Sequence, residues 1–174
     1  MDIEKAASKN CEHLIEAFHE HVFTESYNRI KKCLDFLSED EVWYSPNEHV
    51  NSIGNLILHL CGNAKQYILS GIGGKIDARK RQDEFDSVKT TNKAGLNQQL
   101  DELKEALIPV LSEIDAEKLN EVKKVQGFEK TVLAILIHVI EHFSYHTGQI
   151  TFLVKFIKNI DTGYYAGVDL NITE

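Results

Sequence analysis

Proline is nearly absent from this chain, with only Pro46 and Pro109 in 174 residues, and no stretch sustains an alternation of Val, Ile or Thr with polar residues. Proline interrupts helices and alternation marks half-buried strands, so the two shortages together predict an all-α fold. Cysteine is scarce and odd in number. Cys11, Cys33 and Cys61 lack a CxxC spacing, which argues against a disulfide framework, fits a reducing compartment and leaves the thiols as buried apolar fillers. No apolar run reaches the roughly 18 residues that a membrane span requires. The N-terminal MDIEKAASKNCEHL also lacks the basic-then-apolar order of a signal peptide, so a cytoplasmic location with no membrane partner is expected. Positive charge is short too. The net charge is -8, and basic residues cluster nowhere beyond Arg79-Lys80-Arg81, so phosphate backbones and anionic lipid are repelled and nucleic acid is not an expected partner.

What is present is enough apolar material, 43% of residues, for one domain over 1–174 with a sizeable core. Four helical patterns are legible. The first runs from Ile3 to Leu37 with an inward stripe that includes Leu14, Phe18, Val22, Ile30 and Leu34, and its length makes a kink expected. SEDEVWYSP then predicts a turn, with Trp43 and Tyr44 folding back onto the core. The second helix spans Asn51 to Gly71, capped by Asn51 or Ser52. Ile72 to Thr91 reads as a long, charged surface connection of the kind that borders sites. The third helix, Asn92 to Ile114, is amphipathic with Pro109 as a kink, and Glu121 to Lys130 around Gly127 reads as extended. The fourth, Thr131 to Lys158 with Thr131 as cap, is apolar nearly all round and reads as a central buried element. Together with the long first helix, the exposed tail Tyr164-Tyr165 offers a basis for a homodimer.

Three histidines interrupt that fourth helix. His138, His142 and His146 recur every fourth residue, each about 40° round and about 6 Å along from the last. Neighbours in this row can share a metal ion. His138 and His146, about 12 Å apart along the axis, cannot both reach an ion whose bonds to nitrogen are about 2.1 Å. Any site here uses His142 and one neighbour, and spacing alone leaves open which. The bland reading is a set of core histidines hydrogen-bonded to neighbours.

On the second helix, Ser52, Asn55, His59, Gly62, Asn63 and Gln66 share one face, and Lys65 is the only charged residue from Asn51 to Gly74. A solvated face would carry Lys and Glu, so this neutral stripe, centred on His59, is predicted to face something inside the protein. Cys61 projects about 200° away and cannot easily ligate the same ion. Other motifs carry less. His138 to His142 matches the inverted zinc-protease pattern HxxEH, but Glu141 points away from a metal on His142 and His146, and no strand set exists to build a peptide cleft. His13, His19, His21 and His49 read as surface, and Glu16-Ala17-Phe18-His19 is a single copy of a motif that di-iron bundles need twice.

The segments NSIGNLILHLCGN, with His59, and HVIEHFSYHTGQI, with His142 and His146, resemble the two signature regions of the DinB/YfiT-like superfamily of metal-binding four-helix bundles. SEDEVWYSPNE, GIGGKIDARKRQDEF and the QGF before the last helix resemble an uncharacterised branch of it, so the similarity spans most of the chain. The resemblance implies an up-down-down-up four-helix bundle with a long loop between helices 2 and 3. It also implies a divalent cation, nickel or zinc, held by one histidine of the second helix and two of the fourth. Those positions fall on His59, His142 and His146, with His138 behind them. Better characterised relatives are thiol S-transferases using bacillithiol, glutathione or mycothiol, and a mycothiol-dependent isomerase. The implied function is metal activation of a small thiol toward an electrophile, with Asn63 and Gln149 placed to orient ligands or substrate and no catalytic acid or base assigned. The alternative is a non-catalytic bundle whose metal ties two helices together.

Overall fold

Long helices dominate the computed structural model, which describes residues 3–173. Helix α1 (Ile3–Phe18) runs through a π-helical stretch, His19–Ser26, into α2 (Tyr27–Phe36). The irregularity expected from this length takes the form of a change in winding. Ser26 Oγ donates to the His21 carbonyl five residues back, at 2.7 Å. The wider turn resets the register so that Phe18, Val22, Phe23, Tyr27, Ile30 and Leu34 all lie inside.

A short helix α3 (Glu39–Val42) opens on a capping box between Ser38 and Glu41. Trp43 folds back as predicted, donating from Nε1 to the Thr91 carbonyl at 3.1 Å. Its ring lies 2.7 to 2.9 Å from the place a Cβ on residue 54 would occupy, so the contact requires Gly54. Tyr44 departs from the expectation and is 47% exposed.

Helix α4 (Ile53–Ala64), capped by Ser52, continues as a π-helical stretch, Lys65–Ile72. The connection that follows is exposed over most of residues 73–90, as its charges suggest, but it is not a plain loop. It forms helix α5 (Arg81–Asp86), packed along α4 and pinned by Asn55 Nδ2, which donates to the carbonyls of Glu84, Phe85 and Ser87 at 2.9, 3.2 and 2.7 Å. Helix α6 (Lys93–Ser112) is capped by Asn92 and contains Pro109.

The all-α expectation needs one amendment. Strands β1 (Val122–Val125) and β2 (Phe128–Thr131) pair antiparallel with Val125 opposite Phe128, joined by Gln126 and Gly127 at φ 51° and 82°. Positive φ at both turn residues is what a two-residue hairpin demands, and Gly127 takes it freely. Helix α7 (Val132–Lys158) starts on Thr131, whose Oγ1 accepts from Ala134 N at 3.1 Å, and ends at Asn159 in the left-handed conformation. It packs on α2 and α4, burying Ile135, Val139, Phe143 and Ile150. It is not buried all round: Leu133, Ile137, Tyr145, Phe152 and Phe156 face outward, the last three more than 60% exposed. The tail also corrects an expectation. Tyr164 is half-buried on its own chain, its hydroxyl 2.8 Å from Thr151 Oγ1 and 3.1 Å from Cys33 Sγ, while Tyr165 stays exposed. Among the described residues no helix is long and apolar enough to cross a membrane.

Candidate metal centre

The neutral stripe of α4 and the histidine row of α7 meet. His59 Nε2 lies 3.0 Å from His142 Nε2, and ring centroids stand 5.1 Å apart for His59 and His146 and 4.4 Å for His142 and His146. One ligand nitrogen from each of the three lies within 4.8 Å of the other two. Nitrogens that share a tetrahedral ion through bonds of about 2.1 Å stand about 3.4 Å apart, so the spacing suits a divalent cation of the zinc class. Without a cation, His59 and His142 can satisfy one another only if one of the two facing nitrogens carries the proton.

The outer nitrogens explain the orientation. His59 Nδ1 donates to Glu84 Oε2 at 2.9 Å, which fixes the ring with Nε2 turned toward its partners. Glu84 is in turn gripped by Arg79, whose Nη2 and Nε donate to its two oxygens at 2.8 and 2.7 Å. The 3.1 Å approach of Arg79 Nη2 to His59 Nδ1 follows, since both donors share one oxygen. Arg79 Nη1 donates to Gln66 Oε1 at 2.8 Å, and Gln66 Nε2 to Asp77 at 2.7 Å, so Asn55, His59 and Gln66 of the stripe all find partners in residues 77–87. The Arg79 and Glu84 side chains are only 5% and 11% exposed. Gly62 makes room for them: a Cβ there would collide with the Glu84 carboxylate and come 3.1 Å from Arg79 Nε. On α7, His146 Nδ1 donates to Gln149 Oε1 at 2.7 Å, and Gln149 Nε2 to the Tyr145 hydroxyl at 3.2 Å.

His138 stands outside the trio. It stacks between Tyr67 and His142, with centroids at 4.2 and 5.4 Å, and its Nε2 accepts from Asn63 Nδ2 at 3.4 Å. Asn63 Oδ1 is buried without a partner. Of the histidines read as surface, His13, His21 and His49 are exposed, but His19 is half-buried against Phe23.

Burial sets the charge state. It pushes His142 down to about 3, with His146, His59, His138 and Arg79 adding to the effect, and it lowers His146 and His138 as well. These imidazoles are therefore neutral, the form a metal binds. Burial alone would raise Glu84, but hydrogen bonds from Arg79 and His59 and the charge of Arg79 outweigh it and hold the carboxyl below its usual range. Cys61 is excluded from the chemistry: it lies in the core, and burial drives its thiol up to about 12. Arg79 and Glu84 are the residues that reading the sequence missed. The signal for them was the uncharged stripe itself, which demanded polar partners, together with the glycine at its centre.

Fold and site together define a mostly helical protein in which three inward histidines on two helices can hold a divalent metal. The chain matches the family described as protein of unknown function, DUF1572, over residues 10–165. It belongs to that family. Among solved structures, it is similar to a DinB-like protein from Bacillus cereus at 23% identity, covering 82% of this chain and 91% of that one, with a TM-score of 0.64. A DinB-like protein from Bacillus subtilis gives 19% identity, coverage of 86% and 94%, and a TM-score of 0.62. A conserved protein from Enterococcus faecalis gives 15%, 92% and 99%, and 0.63. No curated protein matches the chain.

Proposed function

We propose that the chain is a divalent-metal protein, loaded with nickel or zinc on His59, His142 and His146, that activates a low-molecular-weight thiol of the bacillithiol or glutathione type for transfer to a small electrophile. The observation that carries this is the donor set. Among the described residues it holds three histidines and no fourth ligand, the composition of catalytic rather than structural zinc sites. A cation bound there would lower the pKa of a thiol at its open position and so supply thiolate at neutral pH.

The protein's own contribution is orientation and charge state. Glu84 and Gln149 accept from the outer nitrogens of His59 and His146 and aim the inner ones at a common point. Burial keeps His142 and His146 unprotonated. In this reading the four long helices form an up-down-down-up bundle, the arrangement that puts the second and fourth side by side, and the working form is a cytoplasmic homodimer. A second reading, a metal that only ties α4 to α7, draws support from the burial of His59 and His146 at 5% and 8% exposure.

The test is elemental analysis of the purified protein followed by titration of its cobalt-loaded form with glutathione and with bacillithiol. A saturable thiolate-to-cobalt absorption band is the expected result. A metal-loaded protein whose cobalt spectrum neither thiol alters would leave the structural tie as the better reading.

A further inference from the structure

Next to the histidines, between the start of α4 and the outer face of α7, lies a cavity of about 560 Å³ whose walls include Pro46, Val50, Leu56, Phe152, Leu153 and Phe156. Two features set it apart. First, it is graded from inside to outside: Leu56 and Leu153 are 3% and 5% exposed at its floor, while Phe152 and Phe156 are 67% and 63% exposed at its rim, with nearly parallel rings 6.4 Å apart. Second, among the described residues no Asp, Glu, Lys or Arg lines it, although a quarter of the chain is charged. The cavities over residues 75–87 and beside Arg29 both carry ionic groups. An ion would find no counter-charge here, whereas an apolar molecule would displace water from both floor and rim.

The cavity also touches the metal centre. Gln149, part of its wall, accepts from His146 Nδ1 and donates to Tyr145, another wall residue. Leu56 lies one turn before His59 on α4. A molecule seated here is one side chain, Gln149, away from His146.

We propose that this cavity binds an uncharged aromatic or branched aliphatic small molecule and that, resting on the function proposed above, it holds the apolar body of the electrophile. Its volume lies in the roughly 300 to 1,000 Å³ span of small-molecule sites. The few polar groups on its wall, Gln149, Asn51, the Tyr145 hydroxyl and His49, are placed to orient such a molecule by hydrogen bonds. Specificity in this reading is for apolar shape, with charged and phosphorylated compounds rejected.

The test uses the uncharged fluorescent aromatic N-phenyl-1-naphthylamine and two variants chosen to fold. A Cβ at Gly148 meets nothing within 4 Å, so Gly148→Leu adds bulk to the wall without a backbone clash. Phe152→Lys puts a charge on an exposed rim position. The wild type should bind one probe per chain saturably, and each variant should weaken it by about tenfold or more, with metal content unchanged. No saturable binding, or the same affinity in both variants, overturns the proposal. So does a dimer that releases probe as it forms and that Phe152→Lys splits into monomers, because a second copy then covers this face. Thiol titration separates this inference from the functional one: probe binding in a protein whose metal ignores thiols keeps the cavity and removes its role in transfer, and thiol binding without probe binding does the reverse.

Discussion

Glu84→Gln tests the link between the segment after α4 and the metal centre. The substitution keeps the shape of the side chain but removes its charge, so that where His59 Nδ1 and Arg79 Nη2 keep a neutral amide oxygen in place of Oε2, Arg79 Nε meets the amide nitrogen in place of Oε1 and loses its acceptor. Replacing a group that orients a metal-bound histidine costs about 10- to 100-fold in metal affinity, which is about 1.4 to 2.8 kcal/mol. The fold pays as well, since the 5%-exposed side chain of Arg79 loses its ionic partner. Breaking a buried pair from one side costs about 3 to 5 kcal/mol; the glutamine, which still accepts hydrogen bonds, should cost less than Glu84→Ala. Metal affinity is read by competition with a chromophoric chelator at pH 7.5, and stability by urea unfolding of the chelator-treated protein. A folded Glu84→Gln protein that binds metal within about twofold of the wild type would refute the reasoning, because His59 would then hold its orientation without the carboxylate.

Gly62→Ala should be destabilising although alanine favours a helix by about 1 kcal/mol over glycine, because its Cβ collides with the Glu84 carboxylate; a raised urea midpoint would contradict the packing. His142→Ala should abolish metal binding while His138→Ala, which removes the stacks on Tyr67 and His142 and the bond from Asn63 but no ligand, should leave metal content near that of the wild type. Elemental analysis with a circular dichroism check on folding decides it. Acid should weaken the metal-free protein in a defined window. The unfolded chain protonates His142 near 6.5 and the folded one only near 3, so stability is flat above about pH 7 and falls below it, by about 2 to 3 kcal/mol at pH 4.5 from this residue alone. His146 and His138 act in the same direction, and an unchanged urea midpoint from pH 7.5 to 4.5 would rule the window out.

Periodicity and caps made the helices legible, because each rests on local chemistry: Ser52, Asn92 and Thr131 accept from backbone N–H groups three residues on, whatever lies elsewhere in the chain. The π-helical windings were not legible, since a wider turn shifts the apolar stripe by one position without changing its composition. The outward face of α7 was misread for a related reason: an apolar run reports what could be buried, and Phe152 and Phe156 border a cavity rather than another helix. At the site, the row of histidines narrowed the choice to His142 plus a neighbour by geometry alone, and the resemblance supplied His146 and His59.

Arg79 and Glu84 were hidden because charge in a sequence is read as solvation, and that rule fails when two opposite charges neutralise each other inside. The failure has a signature. A helix face that is polar but uncharged must have its hydrogen bonds met from elsewhere, and here Asn55, His59 and Gln66 are met by Ser87, Glu84, Arg79 and Asp77, all from the segment whose charges looked solvated. That segment therefore owes its position to the same contacts that aim His59. Pulling it away from α4 would part Arg79 from Gln66, release His59 and open the polar stripe together. For the metal site proposed above, affinity and the packing of residues 77–87 would for this reason be one coupled quantity: whatever loosens the segment would weaken the metal, and a bound metal would tighten the segment by the same free energy.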